Sequence, residues 1–409
     1  MADNVKQAGR RLLSAMNVVE CGWGVSAAYA AKLLADLGAN VVKVEQPEGD
    51  IARRRGPFPN DTPDPERSGL FVYLNINKRG VVADLKKAEG RELLARLLER
   101  ADIIIHNVPP AERDTYGLES SLLTASHPKL IVTSISMFGE RGPRAHWRAH
   151  ELTASNAGGW AYLSPGASPW PDLPPLKAFG QQCDFQGGVH AAMVTLAAYR
   201  HRLKSGQGQA IDVCEQETIA AILEGNFMHY TYASRETSRL GQRAVGPWSI
   251  MDCADGQIFI MCVQEDQWQR LVEFMGNPEW AGEELFKDRI VRGQNLDALT
   301  ALMAEWVSQW KVQDLFMEGQ RRRIPMAPVN TMRQISEDQH LRERDFFVEF
   351  DQPAMGPLKL AGPPSKYGKT RWALERPAPR LGEHGEEIFC GELGVDRARY
   401  AELKRAGIV

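Results

Sequence analysis

Hydrophobic positions along the first 140 residues follow two alternating rhythms. Residues 15–20 (AMNVVE) form an apolar run of strand length, and 26–38 (SAAYAAKLLADLG) repeat at helical spacing, with Gly38 placed where a helix stops. Residues 39–47 (ANVVKVEQP) are β-branched and alternating, which predicts a second strand. A helical face returns over 87–101, where Leu93, Leu94, Leu97 and Leu98 share one side. Residues 102–108 and 128–139 read as a third and a fourth strand. Strands alternating with helices of this length predict parallel pairing in a doubly wound α/β sheet.

Pro and Gly punctuate 163–182, a long helix is predicted over 187–206, and 209–225 reads as a short strand followed by a helix. The rhythm changes near 246. Two alternating runs joined through Ala254-Asp255-Gly256 predict a hairpin over 246–263. Helical segments follow around 266–275, 297–311 and 312–320, and 321–330 is expected to lead out of this region. The predicted organisation is a large α/β domain over 1–225, a linker over 226–245, a smaller inserted α+β domain over 246–330, and a return to the large domain over 331–409.

Composition narrows the class. Hydrophobic residues make up 43% and charged residues 25% of 409, the balance of a globular chain rather than a disordered one. Lys plus Arg (49) nearly equals Asp plus Glu (52), so no overall field points to nucleic acid or a membrane surface. No apolar run approaches the ~20 residues that span a bilayer, and the stretch MADNVKQAGRRLL lacks an apolar signal region. The cysteines (Cys21, Cys183, Cys214, Cys253, Cys262, Cys390) are scattered and form no CxxC pair, which argues against a zinc site or a redox dithiol. A cytoplasmic protein with reduced thiols and no bound metal is expected.

Four motifs carry candidate chemistry. Gly22, Gly24 and Ala27, between the first strand and first helix, fit G-x-G-x-x-A, with Glu45 at the end of the next strand. Such a turn admits a pyrophosphate and an acid that binds ribose, so an NAD-linked dehydrogenase is one reading and a plain tight turn the other. Lys78, Arg79, Lys86 and Lys87, with Asn75 and Asn77, suit either an anionic ligand or a solvated face. His150 and Glu151 suit proton transfer or a helix start. Asp184 stands before Gly187-Gly188 at the opening of the long helix. It reads either as an N-cap or as a nucleophilic carboxylate kept ionised by the helix dipole.

Taken in order, these stretches resemble the family III CoA-transferases, the group of formyl-CoA and carnitine CoA-transferases. The resemblance runs through SAAYAAKLLADLGANVVKVEQPEGDIARR, LNINKRGVVADLKKAEGRELLARLLERADIIIHN, SISMFGERGP, Asp184-Phe185-Gln186-Gly187-Gly188 and RLKSGQGQAIDVCEQE. It implies a Rossmann-like large domain with an inserted smaller domain, in an interlocked homodimer. It also implies transfer of CoA from an acyl-CoA donor to a carboxylic acid acceptor, through a mixed anhydride and then a CoA thioester on Asp184. Coenzyme A would enter as part of the substrate, with Lys86 at its nucleotide end and Asn107 near its pantetheine. His150, Glu151 and the loop at Gly241 would lie on the substrate side.

Two departures bear on the substrate. Asn107 is followed by Val108-Pro109-Pro110, where the family often has Phe-Arg-Pro, and Ser136-Met137 precede Phe138-Gly139, where several formyl-CoA transferases have Lys. A bulkier acyl group or a dicarboxylic acid fits better than a formyl/oxalate pair. The α-methylacyl-CoA racemases share the resemblance, and in that alternative His150 and Asp184 move an α-proton. A non-catalytic acyl-CoA binder is a further alternative.

Overall fold

The computed structural model describes residues 11–165, 172–239, 246–370 and 372–409. Its elements begin β1 (Asn17–Glu20), α1 (Ser26–Asp36), β2 (Asn40–Glu45), α2 (Gly69–Asn75), β3 (Arg79–Val82), α3 (Ala88–Leu98), β4 (Ile103–His106) and β5 (Ile131–Ser136). They continue with α4 (Glu151–Ala157), α5 (Gln182–Ser205), β6 (Ala210–Cys214) and α6 (Glu215–Ala221). The six strands form one sheet in the order β3-β2-β1-β4-β5-β6, and every neighbouring pair is parallel. The order reverses between β1 and β4, which opens a crevice beyond their carboxyl ends.

The strands are apolar on both faces because helices cover both. Val18, Ile103, Ile105 and Ile131 pack with Ala27, Ala30, Leu34, Ala191 and Ala198 of α1 and α5. Their strand neighbours Val19, Ile104 and Val132 point the other way, toward Leu94 and Leu97 of α3 and toward Phe389 and Leu403 near the carboxyl end of the chain. The long helix begins at Gln182 rather than near 187, so Asp184 lies inside its first turn and not at its cap.

The chain divides into two compact units. One comprises Met1–Ser164, Leu176–Met228 and Phe346–Val409, and the other Pro165–Pro175 and His229–Asp345. In the second unit β7 (Trp248–Cys253) and β8 (Gly256–Met261) form the expected hairpin, followed by α7 (Glu265–Phe274), α8 (Leu296–Ser308) and α9 (Val312–Arg321). The stretch expected to lead out adds a third strand instead, β9 (Met326–Pro328), antiparallel to β8. Proline donates no ladder hydrogen bond, and β9 tolerates Pro328 because it is an edge strand. Ile258, Ile260, Trp268, Leu299 and Met303 form this unit's core. A helix over Glu224–Ala233 occupies the start of the expected linker. Among the described residues no helix is long and apolar enough to cross a membrane.

Candidate active site

The β1–α1 turn is shaped by one close approach. A Cβ on Gly22 would lie 2.3 Å from the Ala27 Cβ and 2.8 Å from Asn107 Oδ1, so only glycine lets Asn107 dock there. Asn107, just beyond β4, accepts from the Trp23 N–H at 3.0 Å and donates to the Trp23 carbonyl at 2.8 Å and Ser26 Oγ at 3.2 Å. Its side chain therefore locks the turn across the crevice.

Beneath the turn lies a buried ion network. Glu20 contacts Lys43 and Lys78 at 2.7 Å each, and Lys43 also meets Asp50 at 2.7 Å. Asp50 accepts the Gly24 N–H at 2.8 Å, and Lys43 donates to the Gly22 carbonyl at 3.2 Å. Burial alone would raise the Glu20 carboxyl, but the two ammonium groups outweigh it and hold the group below its ordinary range. Burial pulls Lys78 down to about 8, against the attraction of Glu20. Glu45, the acid of the dinucleotide reading, is buried and bound to Arg53 at 2.7 and 2.8 Å and to the Asp50 N–H at 2.9 Å. Its oxygens are already committed, so the ribose-binding part of that reading finds no free acid.

The cation run divides in the same way. Lys78 is internal, and Arg79 pairs with Glu387 at 2.8 Å and with Glu392. Asn77 ties α2 to Asp36 and to the backbone of Ala373 and Glu375. Lys86 is exposed, 3.5 Å from Glu48 and 5.8 Å from the Tyr116 ring. Tyr116 lines a cavity at the carboxyl ends of β1, β2 and β4, with Gly22, Trp23, Gln46 and Leu118.

Asp184 sits where α5 meets α1 and α6. A Cβ on Gly188 would lie 2.8 Å from the Ser26 carbonyl, and one on Gly187 would lie 2.9 Å from Glu215 Cγ. The double glycine, one turn further along, therefore lets α1 approach one side of α5 and Glu215 another. Phe185 closes on Tyr29 edge to face, with centroids 4.8 Å apart. Gln181 donates to Asp184 Oδ2 at 3.1 Å, while Asp184 Oδ1 is buried and receives no donor. Glu151 Oε1 accepts the Cys183 N–H at 3.2 Å, and its Oε2 lies 2.9 Å from Lys177 Nζ. Lys177 also donates to the carbonyls of Ala178 and Gly180.

Burial dominates the electrostatics here. It lifts the Asp184 carboxyl to about 6; a hydrogen bond with Glu215 and the fields of Arg55 and Lys177 act the other way, and Glu151 adds to the rise. A helix N-terminus favours the anion, but a nearly dry position, with Glu151 nearby, outweighs it. Glu215, 1% exposed, is pushed well above the ordinary carboxylate range, first by burial and then by Asp184.

The expected site residues thus fall into three groups. Asp184 and Glu151 come together at the start of α5, and Asn107 joins them through Ser26, the residue under Gly188. Lys86 stands apart, beside the Tyr116 cavity. His150 is exposed ahead of α4, its N–H directed to Thr153 Oγ1 at 3.4 Å, so Glu151 is the member of that pair that reaches the Asp184 turn. Gly241 lies outside the described residues. Sequence reading missed Glu215, Gln181, Lys177 and Arg55. For Glu215 the available signal was an acid directly after a strand and opening the next helix, at the carboxyl edge of the sheet. Among the described residues no group of three or more His, Cys, Asp or Glu side chains is arranged to hold a metal ion.

Comparison with known proteins gives a consistent result. A sequence model of CoA-transferase family III matches residues 13–385. Succinyl-CoA:mesaconate CoA-transferase of Haloarcula marismortui is 32% identical over 94% of this chain and 97% of its own length. Formyl-CoA:oxalate CoA-transferase of Streptomyces coelicolor is 30% identical over 98% of this chain and 99% of its own length. A crystal structure of a CAIB/BAIF family protein from Brucella suis superposes with a TM-score of 0.83 at 30% identity, covering 94% of this chain and all of the other. The doubly wound sheet and the matched length agree: the chain belongs to CoA-transferase family III and is an enzyme that transfers CoA.

Proposed function

We propose that the chain moves CoA from an acyl-CoA donor to a carboxylic acid acceptor, with Asp184 as the covalent nucleophile. The observation that carries this reading is the buried Asp184 carboxylate in the first turn of α5, oriented through Oδ2 by Gln181. The ionised Asp184 attacks the thioester carbonyl and expels CoA thiolate, leaving a mixed anhydride. The thiolate then attacks the aspartyl carbonyl, giving a thioester on Asp184 and free donor carboxylate. The acceptor carboxylate attacks that thioester to form a second anhydride, and the thiolate returns to the acceptor's carbonyl, regenerating Asp184. Acyl exchanges of this kind are nearly isoenergetic, and covalent catalysis splits one difficult transfer into easier steps.

The nucleotide end of CoA is assigned to the carboxyl ends of β1, β2 and β4, around the small cavity there. Tyr116 and Trp23 give it aromatic faces, and Lys86 supplies a local cation that the net charge of −3 does not. As part of the same proposal, two chains interlock as a dimer and the enzyme works in the cytoplasm. A screen of acyl-CoA donors, succinyl-CoA and formyl-CoA among them, against mono- and dicarboxylic acceptors tests the reading by product mass. A dicarboxylic pair is expected. Exchange of an α-proton with deuterated water in the absence of any acceptor acid, without CoA transfer, would replace it with the racemase reading.

Two results are expected from the site's charges. Asp184 must be ionised to attack, and burial lifts it to about 6. Activity is therefore expected to fall roughly tenfold per pH unit below that value, on the acid side of the profile. A profile flat down to pH 5 would contradict this assignment. Lys86→Glu is expected to raise KM for acyl-CoA by ~3–10-fold, with most of the effect in KM and a smaller difference at high salt. An unchanged KM would remove Lys86 from the CoA site.

A further inference from the structure

Glu215 is a fully buried acid with no role in the mechanism above. Neither of its oxygens has a hydrogen-bond donor in good geometry, and Asp184 Oδ1, beside it, has none either. The groups facing it are the carboxyl of Asp184 and the thiol of Cys183 on α5, and the hydroxyl of Ser26 on α1. None of these is a cation. The groups around Asp184 differ: Gln181 donates to it, Arg55 and Lys177 reach it with positive field, and Glu151 is the one further acid. Two carboxyls in hydrogen-bond contact in a dry site cannot both ionise. The single negative charge belongs on Asp184, where Gln181 and the cations are, and the proton on Glu215, which faces no cation and only the neutral Ser26 hydroxyl and Cys183 thiol.

Resting on the transfer reading, we propose that Glu215 acts as a neutral carboxylic acid whose O–H is held on the Asp184 carboxyl, and that this positioning residue directs CoA thiolate to the aspartyl carbonyl. The mixed anhydride has two carbonyls. Attack on the donor's carbonyl only reverses the first step, whereas attack on Asp184 Cγ advances the transfer. A hydrogen bond from Glu215 to the aspartyl oxygen polarises that carbonyl alone. As the sulfur bonds to Cγ, the carbonyl electron pair moves onto the oxygen held by Glu215. The pair then returns, the bond from Cγ to the bridging oxygen breaks, and the donor carboxylate departs. The Glu215 proton is never transferred. Gly187 is what makes the contact possible, since a Cβ there would occupy the space of Glu215 Cγ.

The test compares Glu215→Gln, which keeps a neutral donor, with Glu215→Leu, which removes it. Each protein is mixed with succinyl-CoA without acceptor, and the CoA adduct on Asp184 is measured by mass. A parallel sample contains hydroxylamine to trap every activated form of Asp184. Glu215→Leu is expected to lose roughly 10²-fold in the rate of adduct formation, the scale of one oxyanion donor, while hydroxylamine still labels Asp184. Glu215→Gln is expected to recover most of that loss and to lose the alkaline limb of the wild-type pH profile, because its donor cannot ionise. Adduct formation in Glu215→Leu at the wild-type rate would overturn the proposal, as would an unchanged alkaline limb in Glu215→Gln. The limb decides alone if the Leu variant does not fold. Failure of hydroxylamine to label wild-type Asp184 would overturn the covalent mechanism itself, a result distinct from either of these.

Discussion

Replacing Asp184 by Asn is expected to lower CoA transfer by at least about 10³-fold while making the folded protein more stable near pH 8. The loss follows from removing the nucleophile, because the remaining groups only bind and orient. The gain follows from burial. The folded-state carboxyl is lifted from 3.8 to about 6, so folding disfavours its charged form. That penalty is fully present above pH 6 and vanishes as pH falls below the unfolded value. Asn removes it, for a gain on the order of 1–3 kcal/mol at pH 7–8 that disappears toward pH 4. Thermal midpoints of both proteins across that range, with activity measured alongside, test both halves. Activity retained within tenfold would contradict the nucleophile assignment. A variant destabilised at pH 8 would mean that Asp184 is a structural cap.

The second large effect concerns stability. Glu20→Leu is expected to cost ~3–5 kcal/mol, because it leaves Lys78 buried with only the neutral acceptors Asn75 and the Ala28 carbonyl. Lys43 keeps Asp50 as its partner. Glu20→Leu/Lys78→Met is therefore expected to recover a large part of the loss, since removing both charges removes the orphaned ammonium. The network also holds the Gly22 and Gly24 backbone, so the single variant should bind CoA more weakly at temperatures where it remains folded. A cost below about 1 kcal/mol, typical of exposed pairs, would show that the network is not buried in solution. Midpoints of thermal unfolding for the three proteins decide it.

The sheet was legible because apolar periodicity is a local property. β1, β2, β4 and β5 all lie within the runs read from 15–20, 39–47, 102–108 and 128–139. β3 was not, because Arg79 opens it and Lys78 precedes it, and both cations are neutralised by residues distant in sequence: Glu20, Glu387 and Glu392. A run of cations that looks like surface can be interior when its partners arrive from elsewhere in the chain. β9 was hidden by Pro328 within it and Pro325 just before it; an edge position tolerates the former.

The candidate site was legible only in part. Asp184 could be singled out because an acid before a double glycine is a local signal. The purpose of that double glycine was not local: Gly188 admits α1 and Gly187 admits Glu215, and neither approach is written in the neighbouring residues. The same distance effect changed the expected charge state. From sequence, the helix start argued for an easily ionised carboxylate, whereas tertiary packing excludes water and sets Glu151 nearby, raising the group instead.

The covalent role of Asp184 is tested most directly by hydroxylamine trapping during turnover. The enzyme is incubated with an acyl-CoA donor and hydroxylamine, digested, and analysed by peptide mass. The expected result is a donor-dependent hydroxamate on Asp184 that accumulates as activity is lost. An unmodified Asp184 during continuing transfer, or a hydroxamate on Glu151 or Glu215 in its place, would contradict it.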